Sequence, residues 1–563
     1  MKGACAGGAE KTVEAAREIL DLGGNAVDAL VAACFATPVS EPVLTSLLGG
    51  GALIVRSAES GEVRVLDFFT NAPGIGGPPP DASLDFHTTA IDFGPARQSF
   101  QVGRGAAAVP GALPGLCSAL ERWGSLSLAE VIKPACRMLR EGVAMAPLQA
   151  FAARVLAPIV MTSESSRRIY APSGEILAEG ETLAIPEVAD ALEDLSERGY
   201  ARYHDEVLAP LLLAEFGVER GGRLTRADLD SYRVEVREPL VARYRDRTVY
   251  TNPPPALGGK MLTTMLRLLE GLDVDALGEH STVEHTRVLA QAMRVADAAR
   301  AAGALDGLQG EAGSLGKDAP LRQAGPWIEH FRALVNGNTR LDAAPDAPGG
   351  PGATTHISVV DSKGNAAGLT FSHGEGCGHV VPELGITMNN MMGEADLHPE
   401  GFHRVAPGTR LRTMMSPTLM IADDGTLTVL GSGGANRIRT ALLQVISNLV
   451  DHRMDPDEAV QSPRVHFESG VLAVELDGRP FGDGGLTALG APELTTFAEH
   501  NLFFGGVHMC RRRADGRLDG AGDRRRGGCF TITGGPVIHA VPSSPEALHL
   551  PGETVGVDNG SEP

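Results

Sequence analysis

Thr354 stands where the chain changes character, and its setting invites chemistry. From Asp342 to Ala353 every residue is Pro, Gly, Ala or Asp, a composition that holds no regular structure and leaves the backbone exposed. Directly afterwards Thr354 to Asp361 alternates and is β-branched, Ser362-Lys363-Gly364-Asn365 makes a turn, and Ala366 to Ser372 returns as a second strand. A chain cut before Thr354 would place a free α-amine beside that residue's own hydroxyl, a pairing that activates a weak nucleophile. The competing reading is that threonine simply favours strands.

The elements that must position such a residue are also visible. Residues 12–22 carry an apolar stripe (Ala15, Ala16, Ile19, Leu20) ending at Gly23-Gly24, which predicts a helix. Residues 26–36 are apolar almost all round, the mark of a helix buried on most sides. Residues 49–66 read as a hairpin turning at Glu59-Ser60-Gly61. Between 125 and 341 the periods are mostly helical (128–141, 187–198, 261–272, 282–302), with strand-like pieces near 240–251. A further hairpin, 418–422 and 427–430, leads through Gly431-Ser432-Gly433-Gly434, a plain glycine turn by its residues, into a helix over 436–450. Hairpins bracketed by helices predict an α+β fold with two packed sheets between helix layers. Residues 534–563, rich in Pro, Gly and acid, predict a disordered tail.

Taken in order, Gly23-Gly24-Asn25-Ala26-Val27-Asp28-Ala29, Glu41-Pro42 with Gly49-Gly50-Gly51, Val109-Pro110-Gly111 and Pro253-Pro254-Pro255 form one half of a pattern. Gly352-Ala353-Thr354-Thr355-His356, Asn389-Asn390, Ser416-Pro417-Thr418, Gly431-Ser432-Gly433-Gly434 and Pro463-Arg464 form the other. Together they resemble the γ-glutamyltransferases (γ-glutamyltranspeptidases), a family of N-terminal-nucleophile hydrolases, over about residues 5 to 530. The resemblance implies a four-layer αββα sandwich with additional helices from the large fragment. It also implies cleavage between Ala353 and Thr354, giving a large fragment, 1–353, and a small catalytic fragment, 354–533, that stay associated. Thr354 would attack the Ala353 carbonyl to form an ester that water opens. It would then attack a substrate amide with its α-amine as base.

Carried over residue by residue, Ser372 matches a threonine that orients the nucleophile, beside the plain alternative of a strand-end serine bonding its own backbone. The backbone pair that forms the oxyanion hole falls on Gly434 and Ala435 without a gap, or on Gly433 and Gly434 with one. The acid that receives the substrate's α-amine maps onto Glu394, and a serine pair onto Thr413-Met414. An asparagine of the family is Gly374 here. The arginine that pairs with the α-carboxylate is Phe69, and a phenyl ring cannot replace a guanidinium. Arg410 and Arg412 stand as substitutes, against the simpler reading of surface arginines. The short connection from Glu394 to Arg410 implies that a lid loop is missing. The activity implied is cleavage of γ-glutamyl amides such as glutathione, with water or an amino acid as acceptor. Phe69 keeps open an acyl group without a free α-carboxylate, as in related acylases. A non-catalytic member of the fold is the third possibility.

Composition excludes other classes. A formal charge of -21 argues against nucleic acid or anionic membrane as partner, and 43% hydrophobic residues suffice for a large core. No run of eighteen apolar residues occurs, and residues 1–9 lack the apolar core of a signal peptide; with Met1 as the true start a cytoplasmic protein is expected. Seven cysteines without a C-x-x-C motif fit a reducing compartment. His373-Gly374-Glu375-Gly376-Cys377-Gly378-His379 matches no common zinc spacing, so neither metal nor cofactor is expected. Nothing in the sequence fixes a base against Cys377. Arg511-Arg512-Arg513 and Arg524-Arg525-Arg526 are expected to be solvated or paired locally.

Overall fold

The computed structural model describes residues 2–80, 83–92, 97–305, 321–337, 339–341, 353–479, 481, 484–540 and 553–555. The linker 342–352 and most of the expected tail lie outside the described residues.

Among the described residues, fourteen strands build the two central sheets. In chain order they are β1 (Gly3–Gly7), β2 (Gly50–Arg56), β3 (Val63–Phe68), β4 (Glu235–Arg237), β5 (Leu240–Tyr244), β6 (Arg247–Thr251) and β7 (Thr355–Asp361). The rest are β8 (Ala366–Ser372), β9 (Thr418–Ala422), β10 (Leu427–Gly433), β11 (Gly506–Arg512), β12 (Leu518–Ala521), β13 (Cys529–Ile532) and β14 (Val537–His539). The first sheet runs β14-β13-β1-β7-β8-β2-β3-β4 and the second β12-β11-β10-β9-β6-β5. Their facing sides bury Ile54, Val360, Leu419, Val429 and Cys510. His356 sits between them, bonded to Thr370 Oγ1 (2.8 Å) and Ser358 Oγ (2.9 Å). Its ring fits only because Gly431 is a glycine, where a Cβ would approach the imidazole to 2.2 Å. Burial pushes the His356 pKa well down, so the ring is neutral.

Helices α1 (Glu10–Asp21) and α2 (Ala26–Ser40) cover the outer face of the first sheet. All fifteen residues of α2 are buried, and Asn25 with Asp28 closes its N-terminus in a reciprocal capping box. Helices α3 (Gly258–Glu270), α4 (Val283–Ala301) and α5 (Arg437–Val450) cover the second sheet. The result is the expected α+β sandwich, αββα, with further helices from residues 112–231 wrapped around its first half.

Three local expectations change. The helix read over 128–141 breaks at Ile132 into Leu128–Val131 and Lys133–Glu141, where Pro134 starts the second piece. Gly431 to Gly433 form no turn: they extend β10 and pair with His508, Val507 and Gly506. Within the stretch expected to be a disordered tail, Val537–His539 pairs with β13 and Glu553–Val555 with Glu493–Phe497. All seven cysteines are buried and free. Among the described residues no helix is long and apolar enough to cross a membrane.

Candidate active site

The junction Ala353-Thr354 lies at the start of β7, buried between the sheet ends, with Thr354 only 5% exposed. Thr354 Oγ1 donates to the Ala353 carbonyl oxygen at 2.7 Å. Ser372, at the end of the neighbouring strand β8, donates its hydroxyl to the same oxygen. Two hydroxyls thus polarise one peptide carbonyl, and the attacking oxygen is the one attached to the next residue. Ser372 Oγ also accepts from Gly374 N (2.9 Å). It therefore bonds the junction, not merely its own strand.

The backbone on either side is held by charged groups. Glu375 Oε1 accepts from Ala353 N at 2.9 Å, and Arg526 Nη1 donates to the Thr354 carbonyl at 3.2 Å. Thr355 donates to the buried carboxyl of Glu41, which Thr12 also reaches at 2.7 Å. These contacts fix the peptide on both sides of the bond expected to break.

A cleft opens on this junction. Its walls include Phe69, Thr354, Ser372, Gly374, Glu394, Thr413, Met414 and Ala435, the substrate-side positions read from the sequence. Gly433 and Gly434 do not line it. Gly433 presses instead on Thr354, where a Cβ would lie 2.0 Å from the carbonyl oxygen. Gly434 (φ +113°) and Ala435 (φ +48°) make the turn into α5. Of the residues in the two candidate oxyanion pairs, Ala435 is the one that lines the cleft. Gly374 has φ +67°, and a side chain there would strike Asn390 Oδ1, so the family's asparagine has no room.

No arginine lines the cleft among the described residues. Arg410 is turned away: it donates to the Phe69 carbonyl, to Tyr232 Oη (2.7 Å) and to the Arg233 carbonyl (2.5 Å), and lies 3.6 Å from Asp67. Arg412 is exposed. Neither replaces the guanidinium missing at Phe69.

The cleft is acidic instead. Glu375, Glu394 and Asp396 all line it. Burial pushes Glu375 and Glu394 up, and the negative charge of Glu375 raises Glu394 further. Burial, then Glu468 and Glu394, raises Asp396 to about 7. Glu375, Asp396 and Arg526 were not assigned roles from the sequence. Glu375 lay hidden in the glycine-rich run considered for metal, where Cys377 proves to be a buried thiol pushed up to about 12 by burial. The two arginine triplets were expected to be solvated or paired locally, and pairing is what Arg511, Arg513 and Arg525 show. Arg511 and Arg513 pair with Asp519 as expected, whereas Arg525 and Arg526 are buried. Arg525 bonds Glu475 (2.5 Å) and Asp523 (3.1 Å).

The Gamma-glutamyltranspeptidase family model matches residues 12–532. The chain belongs to the γ-glutamyltranspeptidase family. It is 34% identical over 471 residues to the acylase ACY 1 proenzyme of Pseudomonas sp. (strain V22), covering 82% of each chain. To the glutathione hydrolase proenzyme of Escherichia coli (strain K12) it is 30% identical, over 80% of this chain and 78% of the other. The solved cephalosporin acylase from Bacillus halodurans superposes with a TM-score of 0.77 at 23% identity, over 94% of this chain and 95% of that one. That likeness speaks to the fold, the N-terminal-nucleophile sandwich of γ-glutamyltranspeptidases and acylases. As a γ-glutamyltranspeptidase family member the chain is an enzyme of the amidohydrolase class.

Proposed function

We propose that the protein cuts itself between Ala353 and Thr354 and then cleaves γ-glutamyl amides through an ester on Thr354. The observation that carries this is the single carbonyl of Ala353 held by both the Thr354 and Ser372 hydroxyls. In the first reaction Thr354 Oγ1 bonds the Ala353 carbon and the amide C–N bond breaks. The hydroxyl proton ends on the freed amine, and water then opens the ester. In turnover that amine takes the hydroxyl proton as Thr354 attacks the substrate, and hands it to the leaving amine. Ser372 orients the nucleophile, and the Gly434 and Ala435 backbone amides face the developing oxyanion. Glu394, with Glu375 and Asp396 beside it, receives the substrate's ammonium group. Thr413 supplies the surviving hydroxyl, and Met414 an apolar wall. Water or an amine accepts the acyl group.

The experiment is Thr354→Ala: the variant stays a single full-length chain on a denaturing gel, while the wild type yields a fragment whose mass begins at Thr354. Two fragments from the variant would sink the assignment.

One observation favours a second reading of the acyl group. Phe69 lines the cleft while Arg410 is tied to backbone behind it, so a free α-carboxylate meets no guanidinium there. An acyl group without that carboxylate suits this wall better. Rates with γ-glutamyl-p-nitroanilide and with simple acyl anilides separate the two: equal rates favour the acylase reading, and γ-glutamyl preference the first.

A further inference from the structure

Glu375 is only 3% exposed, and its two oxygens differ in what they meet. Oε1 accepts from Ala353 N, whereas Oε2 accepts no hydrogen bond from any described residue, and nor does Oε1 of Glu394. Both carboxyls line the cleft beside Asp396, and among the described residues no lysine, arginine or histidine lines it with them. The guanidinium groups whose charge reaches these acids are tied elsewhere. Arg526 donates to the Thr354 carbonyl, Arg437 stacks over the Phe503 ring 4.1 Å from its centroid, and Arg300 lies 3.7 Å from Asp297. Buried carboxylate oxygens without a donor are costly, and three acids facing one cleft lack a cation. The remaining walls include Phe69, Met391, Met414 and Met415, surfaces that suit methylene groups.

The bond from Ala353 N to Glu375 also gauges reach. That nitrogen is two bonds from the carbonyl carbon beside Thr354 Oγ1, and it lies 2.9 Å from the carboxylate. A short acyl chain held at Thr354 therefore spans the distance to the acids. We propose that the acyl group this cleft selects carries a primary ammonium and no carboxylate. It is a short ω-aminoacyl group of the 4-aminobutanoyl class, with its nitrogen between Glu375 and Glu394 and its methylenes against Phe69 and the methionines. This assignment, which rests on the acyl-threonine reading, narrows the carboxylate-free acyl group of the second reading to one that brings a cation. A glutaryl group of the same reach would set a fourth carboxylate among three acids, and a γ-glutamyl group would bury a carboxylate along with its ammonium. In turnover Thr354 Oγ1 forms an ester with the acyl carbon as the C–N bond breaks. The leaving amine departs with the hydroxyl proton, and water opens the ester to the free ω-amino acid.

The test gives the processed wild type four p-nitroanilides of similar reach, 4-aminobutanoyl, pentanoyl, glutaryl and γ-glutamyl, with spontaneous release subtracted. The kcat/KM should be about tenfold higher for 4-aminobutanoyl than for pentanoyl, as a charge-assisted hydrogen bond predicts, and lowest for glutaryl. Glu375→Gln and Glu394→Gln should each bring the ratio of 4-aminobutanoyl to pentanoyl close to one. Pentanoyl or γ-glutamyl matching 4-aminobutanoyl, or a ratio that survives both variants, overturns the proposal. Where a variant stays uncut, competition in the wild type takes its place: 4-aminobutanamide should inhibit hydrolysis of the pentanoyl anilide about tenfold more strongly than pentanamide, and equal inhibition overturns the proposal. If no anilide releases p-nitroaniline, the acyl-threonine reading has failed, and calorimetry with the wild-type protein decides the cleft separately. Tighter binding of 4-aminobutanamide than of pentanamide supports the cation preference, and equal or no binding overturns it.

Discussion

Asp396 gives the cleft its pH dependence. Its carboxyl is raised to about 7, chiefly by burial, so it is neutral in mild acid and anionic in mild base. A substrate ammonium in the cleft gains a counter-charge across that value. The KM for γ-glutamyl-p-nitroanilide should therefore fall several-fold from about pH 6 to about pH 8, and D396N should flatten the profile. Stability runs the other way. A carboxyl raised above its unfolded value stabilises the fold fully only below about pH 4 and loses that contribution as pH climbs through the folded pKa. Measured as a thermal midpoint, D396N should gain on the wild type over this interval. Thr354 was legible in the sequence because composition breaks there. Glu375 and Asp396 were not, because what defines them is a shared burial with Glu394 that no spacing encodes. Arg526 looked like its neighbours Arg524 and Arg525, and only its approach to the Thr354 carbonyl singles it out.

At the level of elements, the junction of β10 with α5 does the most. Gly433 ends the strand against the Thr354 carbonyl, and the left-handed pair Gly434 and Ala435 then turns the chain into the helix. Gly433→Ala would drive a methyl into that carbonyl, displacing the nucleophile. Self-cleavage should slow by about a hundredfold, the usual cost of an ångström of misplacement. A gel time course of precursor disappearance checks this, and wild-type speed would contradict it. The hairpins and the long helices were readable because their periods are clean. The turn was placed too early, at Gly431 rather than Gly434, because glycines carry no period. The strand is continued by pairing with Gly506 to His508, residues distant in sequence. Likewise the break at Ile132 came from a proline whose helical stripe runs on across it.

Across the whole molecule, the two expected fragments are interleaved rather than docked. In the first sheet β1 from the large fragment lies between β13 and β7 of the small one, and β8 pairs with β2 of the large. In the second sheet β9 of the small fragment pairs with β6 of the large. Cleavage at Thr354 severs one peptide bond and leaves these ladders intact. The cut protein should elute from a sizing column as one species at the position of the uncut T354A chain, and separate only in denaturant. Two native peaks would contradict the interleaving.

The order in which the strands are synthesised carries a consequence of its own. The strand holding the nucleophile leans on β1, whose other edge is closed by residues 529–532, and the guanidinium gripping the nucleophile's carbonyl comes from residue 526. A nascent polypeptide in which residues 526–532 have not yet emerged has neither, so scission should wait for them, and a chain truncated before residue 526 should keep its junction whole.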